Sequence, residues 1–201
     1  MRKIKTIVLA VAVLSIVILV AGAAQYDNPS RDKIEQPDKV MEATGVKPGM
    51  VVGEVGAGRG YFTFWLAKGV GQSGKVYAND IDGSALAAIE RRSESEKVRN
   101  IETVLGSVEE PCFPPASLDM VFIVNAFHDL EKPVELLANL LPALKPGATV
   151  VIMDREQVRA ADPHFLTREQ VEEIVGLSVF EIVRIETFLR YHNLYILKAR
   201  N

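Results

Sequence analysis

Five short, continuously apolar runs alternate with helical segments across residues 51–153, and that alternation restricts the chain to very few folds. The runs cover residues 51–55, 75–79, 101–105, 118–124 and 149–153. Unbroken apolar stretches of strand length suit a parallel sheet buried on both faces. Between them, residues 61–70, 84–93 and 133–144 carry apolar residues at helical spacing. Pro133 suits a first helical turn, and Lys145-Pro146-Gly147 reads as a stop. Strands alternating with helices imply right-handed βαβ crossovers, hence an α/β sheet with helices on both faces. After the fifth strand the rhythm changes. Thr167 and Gln170 form a capping-box pattern opening a helix to Val175. Residues 179–189 and 193–199 are strand-like and only a few residues apart, which predicts an antiparallel pair.

The first run stops at Glu54 and Val55 and opens into Gly56-Ala57-Gly58-Arg59-Gly60, directly before a helical segment. Three alternating glycines between a strand and a helix bring backbone close to something, because glycine has no Cβ and tolerates φ > 0. The helix N-terminus behind the loop adds donors facing a ligand. The dinucleotide fingerprint G-x-G-x-x-G would need glycine at position 61, where Tyr61 stands, so a nicotinamide-dependent oxidoreductase is disfavoured. The acid followed by G-x-G-x-G resembles motif I of the class I S-adenosylmethionine-dependent methyltransferases. The resemblance runs from about Asp38 to Ala199. Residues 36–47, FHDLEKP and HFLTREQV are similar to a bacterial group of small methyltransferases with uncharacterised substrates.

That resemblance implies a Rossmann-like fold with sheet order 3-2-1-4-5-7-6 and strand 7 antiparallel. It implies S-adenosylmethionine as cofactor, held by Glu54, Gly56, Ala57, Gly58, Gly60, Asp80, Ile81, Ser107 and Asn125. Asp80 closes the second strand, and ligands of open α/β sheets lie at the strands' carboxyl ends beside the switch point. The resemblance assigns its carboxylate to the two ribose hydroxyls; Asp82 reads as a cap for the next helix. Ser107 stands where many relatives carry an adenine-reading Asp. The fourth strand delivers Asn125-Ala126-Phe127-His128-Asp129 to the pocket edge. It lacks the two prolines of the amino-methylating motif, which points away from bases and amides and toward a small-molecule acceptor. His128 is the candidate general base, since its ordinary pKa lies near neutrality, and Asn125 the second candidate catalytic residue. The bland alternative has His128 capping the next helix or packing on Phe127. His128, His164 and Asp154 could meet at a metal, yet no close pair such as H-x-x-x-H supports one, and no metal is expected.

Arg2, Lys3 and Lys5 precede residues 7–24, eighteen residues whose only polar side chain is Ser15. This stretch reads as a signal peptide, with Ala21-Gly22-Ala23 at a cleavage position, or as a membrane anchor. Residues 25–36 read as a linker and 37–201 as the methyltransferase-like domain. The basic flank predicts that Gln25 onward is exported to the periplasm or cell exterior, or anchored at the membrane. Export would part the domain from a cytoplasmic cofactor. A second reading is therefore an exported, non-catalytic domain that keeps the fold for binding or assembly, beside methyl transfer to a small-molecule or envelope-associated acceptor. Removing the three charges of residues 1–24 takes the net charge from −3 to −6, which gives no electrostatic basis for binding nucleic acid. Cys112 is the single cysteine, so no intrachain disulfide forms.

Overall fold

The computed structural model of the protein describes residues 28–200. The expected signal or anchor at residues 7–24 lies outside the described residues. Among the described residues no helix is long and apolar enough to cross a membrane. Residues 1–30 and 31–201 group as two separate units, and the second carries the architecture below.

Seven strands, β1 (Val51–Val55), β2 (Lys75–Asp80), β3 (Ile101–Leu105), β4 (Leu118–Val124), β5 (Leu144–Arg155), β6 (Phe180–Glu186) and β7 (His192–Ala199), form one sheet. Their order is β3-β2-β1-β4-β5-β7-β6, as the resemblance implied. β1 to β5 pair parallel, while β7 runs antiparallel to both β5 and β6. The continuous apolar runs follow from burial on both faces, with successive residues feeding opposite cores. Val52, Phe122, Val151, Met153 and Leu194 face Val40 of α2 (Pro37–Thr44) and Phe62 and Leu66 of α3 (Tyr61–Val70). Val121, Ile123, Val150, Ile152 and Leu197 face Leu137 and Leu140 of α5 (Pro133–Leu140) and Val171 and Val175 of α7 (Arg168–Gly176). Helix α4 (Gly83–Glu96) adds Leu86 and Ile89 beside Phe64 and Ala78.

Several segments differ from the sequence reading; β6 ends at Glu186, short of the expected residue 189. Helix α5 ends at Leu140, with a 3-10 turn over Leu141–Ala143, short of the expected residue 144. Pro142 has no N–H to continue the helical ladder, and the Leu141 N–H closes the helix on the Ala138 carbonyl. β5 begins earlier than expected, at Leu144 paired with Leu118, and resumes at Thr149 paired with Met120, so residues 145–148 form an excursion from the ladder. Residues 29–35, read as linker, form helix α1 (Pro29–Glu35). Its single large apolar residue, Ile34, leaves no periodicity to read in the sequence. The two caps agree with expectation: Asp82 accepts the Ser84 N–H at 2.7 Å, and Thr167 and Gln170 form the capping box.

Because β1 to β5 run parallel, their carboxyl ends bring the glycine loop, Asp80, Ser107 and Asn125 to one edge. The chain leaves β1 toward β2 on one side, while β4 lies on the other, which makes β1/β4 the switch point.

Candidate active site

The loop after β1 holds Gly56, Gly58 and Gly60 at φ of 70°, 54° and 87°. Gly56 is required by packing as well as by its angle. A Cβ there would lie 2.5 Å from the Cβ of Ala126, so the exit of β4 rests on bare loop backbone. Gly58 is the opposite case: a Cβ would meet nothing within 4 Å, leaving an open cradle above the main chain. The Gly58 N–H donates to Asp80 Oδ2 at 2.7 Å, and the Ala57 N–H to the Asn79 carbonyl at 2.9 Å. Asp80 Oδ1 accepts the Asp82 N–H at 2.9 Å. One carboxylate thus ties the end of β2 to the loop. On this edge Ile81 and Leu105 stand 62% and 61% exposed, two large aliphatic side chains beside Asp80. Ser107 sits on the same edge, its N–H donating to the Glu110 carbonyl and its Oγ accepting the Glu110 N–H.

Glu54 lies under the loop, buried, with Oε2 accepting from Thr63 Oγ1 of α3 at 2.5 Å. Burial pushes its carboxyl up to about 8 against the Thr63 hydrogen bond and the Arg31 charge, with Asp80 and Glu35 adding to the rise. The bond joins β1 to the helix that follows the loop, an indirect orienting role.

Sequence reasoning missed the partners of Asn125. This residue adopts φ of 51°, in the left-handed region, which asparagine enters more readily than other side chains bearing Cβ. The turn aims its amide at two buried groups. Nδ2 donates to Glu35 Oε1 at 3.0 Å, and Oδ1 lies 2.9 Å from His192 Nε2. Arg31 Nε donates to the same Glu35 oxygen at 2.6 Å. With Nδ2 turned to the carboxylate, Oδ1 must accept, so His192 carries its proton on Nε2. Glu35 Oε2 and His192 Nδ1 are then left buried and without hydrogen-bond partners among the described residues. Burial raises the Glu35 pKa despite Arg31. Burial, helped by Arg155, Arg31 and Arg159, lowers that of His192 to about 3. No sequence pattern flags either residue, since both enter through tertiary contacts.

The His192 shift has a testable consequence. Between its ordinary pKa of 6.5 and about 3, the unfolded chain binds a proton there that the folded chain refuses, so stability falls on acidification through that window. His192→Gln keeps an N–H for Asn125 and removes the titration. Its urea midpoint is expected to sit below the parent's at pH 7 and to converge on it by pH 4. A constant gap across that range would contradict the assignment.

His128 stands elsewhere. Its Nδ1 lies 2.8 and 2.9 Å from the two oxygens of Asp154, and its backbone N–H donates to the same carboxylate at 2.9 Å. Asp154 follows Ile152 by two positions and so faces the α5–α7 side, whereas His192 precedes Leu194 by two and faces α2–α3. The structure therefore separates His128 from the group around Asn125. Burial lowers the His128 pKa, but the Asp154 hydrogen bond and charge, together with Asp129, outweigh it and raise it overall. The ring packs edge-on against His164 and Phe165, at 4.9 and 4.7 Å between centroids.

Residues 52–147 match the family model described as a methyltransferase domain. A SAM-dependent methyltransferase from Aquifex aeolicus superposes with a TM-score of 0.79 at 27% identity, covering 87% of this chain and 95% of that one. Residues 52–147 thus carry a methyltransferase domain, on the fold of the class I S-adenosylmethionine-dependent methyltransferases. Among curated relatives, a demethylmenaquinone methyltransferase of Bacillus mycoides is 27% identical over 119 residues, 59% of this chain and 50% of its own length. A tRNA (adenine(58)-N(1))-methyltransferase of Thermus thermophilus is 34% identical over 142 residues, 67% and 53% of the two chains. The chain spans about half the length of the curated relatives it matches.

Proposed function

We propose that this methyltransferase binds S-adenosylmethionine on the loop of residues 56–60 and transfers its methyl group to a small-molecule acceptor beside Asn125. The observation that carries the proposal is the cradle at Gly58, open where a Cβ would stand and pinned by Asp80. A carboxylate has acceptor capacity beyond its two backbone donors, so Asp80 can also take a ribose diol. Ile81 and Leu105 offer aliphatic faces to a flat base, and the Ser107 hydroxyl can bond its edge. Glu54 acts through Thr63 by holding the loop.

When bound, the cofactor supplies an electrophilic methyl carbon on a sulfonium. The chain has to hold a nucleophile in line with it and remove a proton from the acceptor. Asn125 stands at the end of β4, and its neighbour Ala126 touches the glycine loop, so its amide lies next to the cradle. Glu35 Oε2 is a buried acceptor with a raised pKa, suited to taking that proton. His128, tied to Asp154 on the other face, is worse placed for it. Demethylmenaquinone is the first acceptor to assay, because a relative's name carries it.

The test is transfer of labelled methyl from S-adenosylmethionine by the full chain to a panel of small-molecule acceptors. Glu35→Gln is expected to lower kcat by about 100-fold, within the range for general-base loss, with cofactor affinity unchanged. An unaltered kcat would remove Glu35 from the chemistry, and an absence of transfer to any acceptor by a cofactor-loaded chain would remove the activity.

A further inference from the structure

His128 and Asp129 leave β4 in a 3-10 turn, and His164 comes from the segment between α6 (Gln157–Ala160) and α7. The fold brings the three together. Asp129 bridges the two imidazoles, with Oδ2 3.4 Å from His128 Nε2 and Oδ1 3.4 Å from His164 Nε2. One ligand atom from each residue can be chosen so that all three lie within 4.8 Å of one another. A divalent ion held at about 2.1 Å by tetrahedrally arranged donors has donor–donor edges of about 3.4 Å. Each imidazole lies at that distance from one of the two Asp129 oxygens, and a small closure of the three donors, which lie within 4.8 Å of one another, completes the set.

The support behind His128 has the same character. Asp154 accepts from His128 Nδ1 and is itself fixed by the His128 and Arg155 backbone N–H groups. That arrangement keeps a ring proton on Nδ1 and turns Nε2 toward Asp129 and His164. A carboxylate behind a histidine in this way is the usual outer support of a metal-ligating imidazole. Phe165 packs on the His128 ring and restricts it further. Arg155 is a cation close to this group, its guanidinium 5.4 Å from the centre of the Phe165 ring. The carboxylates of Asp129 and Asp154 offset it.

We propose that His128, Asp129 and His164 form a binding site for a first-row divalent metal ion of the zinc class, with Asp154 as the positioning residue of His128. Two imidazoles and one carboxylate suit zinc, with cobalt(II) as its spectroscopic substitute. Three protein ligands leave a fourth position for water or another oxygen donor, the pattern of zinc sites that do chemistry. The site lies on the opposite sheet face from Asn125 and stands independently of the methyl-transfer reading.

The test is titration of the tag-free full chain with cobalt(II) chloride, followed by visible absorption and then zinc competition in a calorimeter. One saturable equivalent with the intense bands of tetrahedral cobalt is expected. His164 is exposed, so His164→Ala should keep the parent's circular dichroism and melting temperature while losing at least tenfold in affinity. Asp154→Asn, which touches no metal, should lose about 10–100-fold through the outer support. No saturable binding, or cobalt affinity unchanged in His164→Ala, would overturn the site.

Discussion

Asp80→Ala is expected to weaken S-adenosylmethionine binding by at least 100-fold, about 3 kcal/mol. Two effects add. The variant loses the charged acceptor for the ribose hydroxyls, and a hydrogen bond to a charged group is worth about 1.5–3 kcal/mol. It also releases the Gly58 and Asp82 N–H groups, which Asp80 holds at 2.7 and 2.9 Å, so the loop is no longer preset for a ligand. Asp80→Asn separates the two contributions. It can still accept one backbone N–H but lacks the charge, and its affinity should fall between the parent's and the alanine variant's. Equal affinity in all three proteins would mean that the ligand does not meet Asp80.

Gly56→Ala is expected to cost about 3 kcal/mol of folding stability. The new Cβ would stand 2.5 Å from Ala126 Cβ, and a side chain at φ of 70° is strained as well. Left-handed strain costs about 1–2 kcal/mol per residue, and forcing a methyl into packed space about 1–3 kcal/mol. Gly58→Ala supplies the contrast. Its Cβ meets nothing in the protein, so only the strain of φ 54° falls on stability. The same methyl would intrude on the cradle, so cofactor affinity should drop far more than the urea midpoint. Matching urea midpoints for Gly56→Ala and the parent would show that β4 does not press on the loop, and full affinity in Gly58→Ala would place the ligand elsewhere.

These two sites were legible because local chemistry marks them. Alternating glycines after a buried strand have few uses, and an acid at the next strand's end reaches the same edge wherever strands run parallel. The parallel strands and the Asp82 and Thr167 caps could be read for the same reason: period, apolar continuity and cap residues act within a few positions of the chain, whereas the strand order came from the family resemblance. What could not be read depends on distant contacts. Glu35 and His192 flank Asn125 from opposite ends of the domain, and neither sits in a motif. The bend at Asn125 that joins them is a left-handed turn in a residue other than glycine, which composition does not announce. His128 and Asp129 meet His164 across α5, β5 and the short α6, so no ligand spacing in the sequence reveals the cluster. His128 read as a general base because of its type; its Asp154 partner, fixed by the β4–β5 register, shows it turned toward the other face. Helix α5 ended early because Pro142 mattered more than the apolar pattern running past it.

We propose that the loop of residues 56–60 with Asp80 is a working cofactor site. Isothermal titration of the folded full chain with S-adenosylmethionine, beside the Asp80→Ala protein, tests it most directly. One site per chain, weakened at least 100-fold by the substitution, is the expected result. No heat of binding from a chain shown to be folded by circular dichroism would contradict it.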